Sequence, residues 1–381
     1  MNVKIERSLL PVLFKEFSET EKIIILYGAR QTGKTTLADD LLSKIKGNIL
    51  KVNADELRYV DILSSRDLPK MKLLTGGYDI LFIDEAQRIK DIGINLKILH
   101  DGLPGLKLFV TGSSSFDLAN KVKEPLTGRT STWILYPISI KELSRTHNHF
   151  ELQSRLEEFM VFGMYPELFR YEAARKKEKY LRELAASYLY KDVLELAPIR
   201  NTSKIRDLLK MLAFQIGSEV SLNELGNHLG LSQETVQSYI HLLEKSFIIF
   251  RLGGFSRNLR KEISKRDKIY FWDLGVRNTL IDNFSPFSMR NDVGALWENF
   301  MIAERLKYLS YNEIYASSYF WRTYTGAELD YVEEHNGQLF GYEIKYRKVR
   351  KKAPKTWLEN YSHHYKCINV DNFWEFVIGE K

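Results

Sequence analysis

A glycine-rich loop near the N-terminus carries the clearest chemistry in this sequence. Residues 28–35 read Gly-Ala-Arg-Gln-Thr-Gly-Lys-Thr and match the pattern G-x-x-x-x-G-K-[ST]. They follow an apolar run at 23–27 and precede a run of helical character at 36–42, which is the context that the pattern requires. The glycines let backbone N–H groups face phosphate oxygens, and the following helix adds the positive end of its dipole. We therefore predict a nucleotide site here.

The loop and the first residues of the helix supply the predicted contacts with ATP. Lys34 is expected to reach the β- and γ-phosphates, and the hydroxyl of Thr35 is expected to coordinate Mg²⁺. The predicted nucleotide-binding residues are Gly28, Ala29, Arg30, Gln31, Thr32, Gly33, Lys34, Thr35 and Thr36. ATP and Mg²⁺ are therefore the predicted ligands of this site.

Two carboxylates end an apolar run that follows the loop. Residues 78–85 read Tyr-Asp-Ile-Leu-Phe-Ile-Asp-Glu, which predicts a buried strand ending in Asp84 and Glu85. Asp84 is positioned to hold magnesium through water. Glu85 would then polarise the attacking water as the general base. This strand end adds ATP hydrolysis to the predicted ATP binding.

A second apolar run, at 108–114, ends in hydroxyl groups. Because ligands bind at the C-terminal ends of strands in open α/β sheets, Ser113 or Thr111 could sense the γ-phosphate. Helix capping by these hydroxyls is an equally good interpretation.

Arg129 ends the sequence Leu-Thr-Gly-Arg and is the candidate for the arginine that stabilises charge during phosphoryl transfer. Such an arginine acts within its own chain or on a neighbouring chain. If Arg129 acts on a neighbour, the protein forms a homo-oligomer. An ordinary surface arginine is the other interpretation.

Opposed carboxylates are predicted near the C-terminus. The runs at 327–332 and 339–346 flank Asn336-Gly337, a strong signal for a two-residue hairpin turn. With that turn, Asp330 lies opposite Glu343, and Glu328 lies opposite Lys345, all on one face. Like charges placed about 4.5–5.5 Å apart repel, so the arrangement needs a reason.

A divalent cation is one such reason, because Mg²⁺ prefers oxygen ligands. Lys345 beside it could orient water or stabilise charge at a phosphodiester. The pattern Asp330…Glu343-x-Lys345 resembles that of the PD-(D/E)xK nuclease family, and Glu298 matches a frequent extra metal ligand in that family. Two alternatives stay open: a charge ladder neutralised by Lys345, and a nuclease fold kept as an inactive scaffold.

Residues 221–244 have the pattern of a helix-turn-helix. Ser221-Leu-Asn-Glu224 predicts a capping box, Gly230-Leu-Ser232 a turn, and 233–244 a second helix. Helical spacing puts Val236, Ile240 and Leu243 inward and Gln233, Thr235, Gln237, Ser238 and His241 outward. A winged helix of this kind binds DNA or, alternatively, protein.

Two basic tracts support DNA as the partner, because such side chains contact phosphates without reading sequence. The first comprises Arg251, Arg257, Arg260, Lys261, Lys265, Arg266 and Lys268, with Glu262 and Asp267 as the acids among them. The second comprises Lys345, Arg347, Lys348, Arg350, Lys351, Lys352 and Lys355. Solvated charge is the ordinary alternative for both.

The elements that must position these residues fall into an α/β pattern. Short apolar runs predict buried parallel strands at 22–27, 48–52, 79–83 and 107–111. Helices are predicted at 152–161 and 172–196. Residues 203–272 predict three short helices and two strands, the first strand at 248–252. Mixed α/β structure follows from 295, with a helix near 296–309.

Composition sets limits on the class of protein. The chain has 381 residues, 44% of them hydrophobic, and a net charge of +7, which permits contact with an anionic polymer. A single cysteine, Cys367, excludes an internal disulfide framework. No segment approaches 18 uncharged apolar residues, so we expect no membrane span and a cytoplasmic protein.

The ordered motifs resemble a family of uncharacterised bacterial and archaeal AAA-type P-loop ATPases with a C-terminal domain of unknown function, similar in core to origin-recognition ATPases. The matching segments are 28–35, 81–87, 110–115, 126–129, 163–167, 188–193, 271–277, 296–300 and 321–345. The resemblance implies an AAA-type core at 1–140, a helical lid at 141–200, a winged helix at 201–275 and a restriction-endonuclease-like α/β domain at 276–381.

Overall fold

The N-terminal sheet is parallel and five-stranded. The computed structural model describes residues 5–113, 126–196, 202–257, 266–324, 326–347, 352–361 and 364–379. The sheet has the order β2-β3-β4-β1-β5, and its strands are β1 Ile23–Tyr27, β2 Ile49–Asn53, β3 Ile80–Asp84, β4 Lys107–Gly112 and β5 Thr130–Ile134. The four predicted strands are confirmed, each within one residue at either end. The fifth, β5, is half-exposed and has the polar sequence Thr-Ser-Thr-Trp-Ile, so its apolar signal is weak.

Both faces of this sheet are covered, as a parallel sheet requires. Ile23 and Ile25 of β1 enter one apolar cluster, whereas Ile24 and Leu26 enter another on the opposite face. The covering helices are α1 Leu9–Glu19, α2 Lys34–Leu42, α3 Leu57–Leu63, α4 Leu68–Thr75 and α5 Ile92–Gly102. The chain therefore places the C-terminal ends of β1, β3 and β4 side by side at one edge.

A helical region follows the sheet. It contains α6 Ile140–Leu143, α7 His149–Ser154, α8 Leu156–Phe162, α9 Ala174–Leu196, α10 Thr202–Phe214, α11 Leu222–Leu229 and α12 Gln233–Lys245. The prediction of one helix over 152–161 is wrong, because the helix is interrupted at Arg155. Asn148 and Glu151 form a capping box that starts α7 three residues earlier than predicted. The predicted helix over 172–196 is confirmed as α9.

The three helices and two strands predicted for 203–272 are present. The strands β6 Ile249–Gly254 and β7 Lys268–Phe271 pair antiparallel. They continue into a six-stranded sheet of order β11-β10-β9-β8-β6-β7, with β8 Ser317–Arg322, β9 Glu328–His335, β10 Gln338–Ile344 and β11 Tyr365–Ile368. Hydrogen bonds between β6 and β8 thus cross the predicted boundary at 275, and the four domain limits stay predictions.

One long helix joins the two halves. This helix, α14 Val293–Tyr311, lies between α13 Leu274–Leu280 and the C-terminal helices α15 Lys355–Asn360 and α16 Trp374–Ile378. Its Glu304 carboxylate accepts from the backbone N–H of Ile140 at 2.6 Å, and its Tyr311 hydroxyl accepts from that of Tyr136 at 2.9 Å. In the described part of the chain, every helix is too short or too polar to cross a membrane.

Candidate nucleotide site and carboxylate cluster

The glycine-rich loop connects β1 to α2 with a backbone that other residues would not adopt easily. Gly33 has a φ of 95° at the start of α2. Gly28 has a φ of 150°, and a Cβ atom there would lie 2.3 Å from the carbonyl oxygen of Leu135. A side chain at position 28 would therefore push the loop away from the segment that follows β5.

Six of the nine predicted nucleotide-binding residues line a cavity of about 340 Å³, whereas Gly28, Ala29 and Thr32 do not. Its lining residues are Arg30, Gln31, Gly33, Lys34, Thr35, Thr36, Asp55, Glu85 and Arg88. The Lys34 ammonium donates to the carbonyl oxygens of Gly28 at 2.9 Å and Ala29 at 3.0 Å, and so lies under the loop. Two lining residues, Asp55 and Arg88, have no sequence pattern to identify them and form an ion pair at 2.7 Å.

Asp84, at the end of β3, lies beside the start of α2. Its Oδ2 atom accepts from the Thr35 hydroxyl at 2.8 Å, and its Oδ1 atom accepts from Thr111 on the neighbouring strand β4. Hydroxyl and carboxylate oxygens in this arrangement suit Mg²⁺. The donor set therefore fits the predicted cation, with Thr35 and Asp84 as the residues that would hold it.

Glu85, the next residue, has a φ of 54°, which is uncommon for residues other than glycine. Its Oε2 atom accepts a short hydrogen bond from the Gln87 side chain. The Oε1 atom of Gln87 in turn accepts from the backbone N–H of Ser113 at 3.3 Å. Glu85 lines the cavity, and Gln87 orients it from the side of β4.

Sequence reasoning missed Arg7, which supports the loop by donating a hydrogen bond to the carbonyl oxygen of Thr32. We call this contact the brace. Arg7 is buried, and its three donor nitrogens contact the carbonyl oxygen of Thr32 at 2.6 Å, that of Tyr136 at 2.5 Å, and the Glu142 carboxylate at 3.0 Å. Burial by itself lowers the pKa of Arg7, but the Glu142 carboxylate more than offsets it and raises the pKa. The brace thus connects the loop to the entry of α6.

The structure places Arg129 far from the loop of its own chain. Its carbonyl oxygen accepts from Ile23 at the start of β1, whereas the loop follows the end of that strand. These two positions are separated by the five residues of β1, a distance of about 16 Å along the strand. The guanidinium forms a two-bond contact with Asp101 at 2.8 and 3.1 Å. The structure therefore does not bring Arg129 to the loop of its own chain, and its part in phosphoryl transfer stays a prediction.

The C-terminal hairpin has the predicted register. Cα partners run from Gln338 with His335 to Tyr342 with Tyr331, so Asn336-Gly337 is the turn. The Asp330 carboxylate accepts from the Lys345 ammonium at 2.9 Å and from the backbone N–H of Ile344 at 2.7 Å. Glu343 lies 3.5 Å from the same ammonium. The predicted Asp330, Glu343 and Lys345 therefore meet.

A second lysine, which the sequence gave no reason to place here, enters from β7. Lys268 is only 3% exposed and lies 2.8 Å from Glu328 and 3.4 Å from Glu298. Glu328, predicted to lie opposite Lys345, has Lys268 and, at 3.9 Å, Arg322 as its ion-pair partners. We call Glu298, Glu328, Asp330, Glu343, Lys268 and Lys345 the carboxylate cluster.

Burial and then the Asp330 charge raise the pKa of Glu298 to about 7. The Tyr270 hydroxyl donates to Glu298 at 2.6 Å. Within the described ranges, no three acidic, histidine or cysteine side chains are grouped so as to hold a metal ion. The Mg²⁺ site of Glu298, Asp330 and Glu343 stays a prediction.

The first basic tract offers fewer exposed cations than its composition indicated. Arg251 lies 2.7 Å from Glu244, and Lys268 belongs to the carboxylate cluster, so neither is available to a phosphate backbone. Arg257 and Arg266 are exposed. Arg260, Lys261 and Lys265 of this tract, and Lys348, Arg350 and Lys351 of the second, lie outside the described residues.

The predicted faces of α12 are confirmed. Val236, Ile240 and Leu243 are buried, whereas Gln233, Gln237, Ser238 and His241 are exposed and Thr235 is half-buried. Ser232 caps α12 by accepting from the Thr235 N–H at 3.2 Å. Ser221 caps α11 in the same way through Glu224 at 3.3 Å, which supplies one half of the predicted capping box.

Three parts of the chain match known family models. Residues 20–144, which include the loop, Asp84 and Glu85, match the AAA domain family. Residues 153–286 and 293–372 match two domains of unknown function, DUF8612 and DUF4143. The match of residues 20–144 to the AAA domain family supports nucleotide binding and hydrolysis by this chain.

Similar chains are uncharacterised. A protein of Mycobacterium tuberculosis is 28% identical over 328 residues, covering 85% of this chain and 70% of that protein. A protein of Methanocaldococcus jannaschii is 28% identical over 323 residues, covering 80% and 69%. Among solved structures, a Walker-type ATPase of Pyrococcus abyssi is similar in fold, with a TM-score of 0.51 and 15% identity over 73% of this chain and 96% of that one.

Proposed function

We propose that this chain is an ATP-hydrolysing AAA protein that binds DNA through α12 and the β6–β7 hairpin and carries a nuclease-like C-terminal region. The observation that carries the ATPase proposal is the contact between Thr35 and Asp84 at 2.8 Å. It joins the phosphate-binding loop to the strand-end carboxylates, and these are the two parts that phosphoryl transfer from ATP requires.

Each residue has a defined task in the proposed reaction. Lys34 and the loop N–H groups hold the β- and γ-phosphates, while Thr35 and Asp84 would hold Mg²⁺. The bound cation neutralises phosphate charge. Glu85 orients a water molecule in line with the γ-phosphate and accepts its proton. Gln87 positions Glu85 by donating to its carboxylate and accepts from the backbone N–H of Ser113, whose hydroxyl is a proposed sensor of the γ-phosphate.

Two variants test the ATPase proposal. Lys34→Ala is expected to lose turnover because the phosphates lose their main cation. Glu85→Gln keeps the size of the side chain but cannot accept the proton, so kcat should fall about 10²- to 10⁴-fold while ATP still binds. Phosphate release and nucleotide binding are measured side by side. The control is Glu56→Gln, a partly exposed carboxylate of the same domain; wild-type turnover in Glu85→Gln would refute the assignment of the base.

Arg129 is proposed to act on the nucleotide of a neighbouring copy. Its position away from its own loop supports this interpretation. The specific ATPase activity should rise with protein concentration, and Arg129→Ala should lower kcat about 10³-fold or more. Mixing Arg129→Ala with Lys34→Ala should restore activity, since each supplies what the other lacks.

Arg66→Ala serves as the control for Arg129, because Arg66 is an exposed arginine of the same domain paired with Asp91. A specific activity independent of concentration, with no recovery on mixing, would argue against a neighbouring site.

Duplex DNA is the proposed partner of α12. The exposed side chains Gln233, Gln237 and Ser238 can donate and accept hydrogen bonds, and Arg257 lies on the adjacent hairpin loop. Affinity for a blunt duplex should fall steeply with salt, with a logarithmic slope of about 0.9 per phosphate contacted. Fluorescence anisotropy over a series of salt concentrations measures this slope. No binding at low salt would contradict the proposal.

The carboxylate cluster supports two different proposals. Asp330, Glu343 and Lys345 in contact are suited to metal-dependent cleavage of a phosphodiester, with Glu298 as a further ligand. The alternative is a nucleotide-driven switch that binds protein partners and keeps this region as a scaffold. The lysines that neutralise the carboxylates favour that alternative, because they stabilise the cluster without a metal ion.

A further inference from the structure

A wide cleft opens where β6 and β8 end, next to the hairpin loop. Its volume is about 690 Å³, which lies in the range of pockets that hold small organic ligands. Aromatic rings and arginines dominate its lining: Phe255, Trp321, Tyr324, Tyr361, Arg266 and Arg322. This combination belongs neither to the nucleotide site nor to the carboxylate cluster.

The inner wall of the cleft is an interlocked set of rings. Tyr361 packs edge-on against Phe255 at 5.3 Å and against Trp321 at 6.1 Å between ring centroids. Trp321 in turn packs against Trp357 at 5.3 Å. Such contacts hold the rings in place before any ligand arrives. A planar group that stacks on this wall would therefore lose little free energy to ordering of the protein.

At the mouth of the cleft, Tyr324 is 98% exposed. An aromatic ring this exposed contributes little to the stability of the fold, yet it presents a face for stacking. Truncating the ring should consequently alter binding without altering folding.

The described lining of the cleft carries a small excess of positive charge. Arg266 and Arg322 face it with Glu219 as the one carboxylate among its described lining residues. Arg322 is half-exposed and lies 3.0 Å from Glu219 and 3.9 Å from Glu328 of the carboxylate cluster. Arg322 thus connects the cleft to the carboxylate cluster.

One polar atom in the wall lacks a partner. Thr356 lines the cleft, and its hydroxyl is buried with no hydrogen-bond partner in the described structure. Buried polar groups are nearly always paired, so this hydroxyl is an exception in the wall of the cleft.

We infer that this cleft binds single-stranded nucleic acid. Unstacked bases would lie on Tyr324 and the aromatic wall, and Arg266 and Arg322 would contact the flanking phosphates. Stacking with arginine contacts suits an unpaired strand, because the bases of a duplex are already stacked on each other. The inference rests on the proposed nucleic-acid role of the C-terminal half and is independent of the ATPase. It would deliver an unpaired strand to the carboxylate cluster.

The test compares Tyr324→Ala with Tyr315→Ala in the full chain. Tyr315 is 86% exposed and does not line the cleft, so it is a matched control. The probe is a labelled 12-residue oligothymidine, followed by fluorescence anisotropy at fixed salt. Tyr324→Ala should weaken binding about 5- to 150-fold, Tyr315→Ala should leave it unchanged, and Tyr324→Trp should keep it because the ring is retained.

A blunt duplex is titrated with the same proteins. Wild-type affinity of Tyr324→Ala for the oligothymidine overturns the inference, whether or not the duplex binds. If the duplex does not bind but oligothymidine binding depends on Tyr324, only the proposal that α12 binds duplex DNA is refuted. Displacement of the oligothymidine by an unrelated acidic peptide as readily as by unlabelled oligothymidine would assign the cleft to protein and overturn the inference.

Discussion

Replacing Arg7 with alanine is expected to lower the free energy of unfolding by about 3–5 kcal/mol and to remove most of the ATPase activity. The substitution leaves the Glu142 carboxylate buried without its cation, and it removes the donors to the carbonyl oxygens of Thr32 and Tyr136. The loop would then lose the contact that fixes its shape next to Gly33. Urea unfolding and steady-state ATP hydrolysis measure the two effects.

Two further variants separate charge from geometry at this position. Arg7→Lys keeps the charge, but a single ammonium cannot reach the three acceptors that the guanidinium contacts. Relative to Arg7→Ala, it should therefore recover part of the stability and little of the turnover. Arg145→Ala is the control. Arg145 is partly exposed and pairs at 3.6 Å with Glu6, the residue next to Arg7. It should change the free energy of unfolding by less than about 1 kcal/mol. An Arg7→Ala protein with wild-type stability and kcat would disprove the brace.

The contrast between Arg7 and Lys34 shows what the sequence could predict. Lys34 belongs to eight consecutive residues whose geometry is set by the turn between one strand and one helix. Arg7 contacts residues 25 and 135 positions away, so no local pattern identifies it. Asp84 was predictable because the strand before it is an uninterrupted apolar run, whereas Arg88 and Asp55 come from separate loops that only the folded sheet brings together.

The C-terminal half shows a similar division. The Asn336-Gly337 turn fixed the register of β9 and β10, and with it the meeting of Asp330 and Glu343 near Lys345. The position of Lys268 was not predictable, because its strand is buried on both faces and has no alternation to show which side chains point inward. Counting charges along the hairpin therefore assigned Lys268 to the surface, although it lies inside the carboxylate cluster.

Lys268→Met is expected to destabilise the chain by about 3–5 kcal/mol when divalent cations are removed. Methionine fills a similar volume but leaves Glu298 and Glu328 without their shared cation. If the cluster is a metal site, Mg²⁺ or Mn²⁺ should bind the uncompensated carboxylates and restore the stability. If it is a charge ladder, the cations should restore nothing. Urea unfolding with EDTA, Mg²⁺ or Mn²⁺ distinguishes the two.

Lys366→Met is the control. Lys366 lies on β11 of the same sheet, is half-exposed and pairs with Glu375 of α16, so its loss should change little in any condition. Cleavage of linear, circular and branched DNA and of RNA, with and without ATP, completes the comparison for wild type, Asp330→Ala and Lys345→Ala. Restored stability together with cleavage lost in both variants would make the cluster a working nuclease site. Unrestored stability and no cleavage would make Lys268 a permanent replacement for the metal ion, because a buried ammonium already satisfies the carboxylates that a cation would need. An undiminished stability in Lys268→Met would contradict both interpretations, since neither allows Glu298 and Glu328 to lose their shared ammonium without cost.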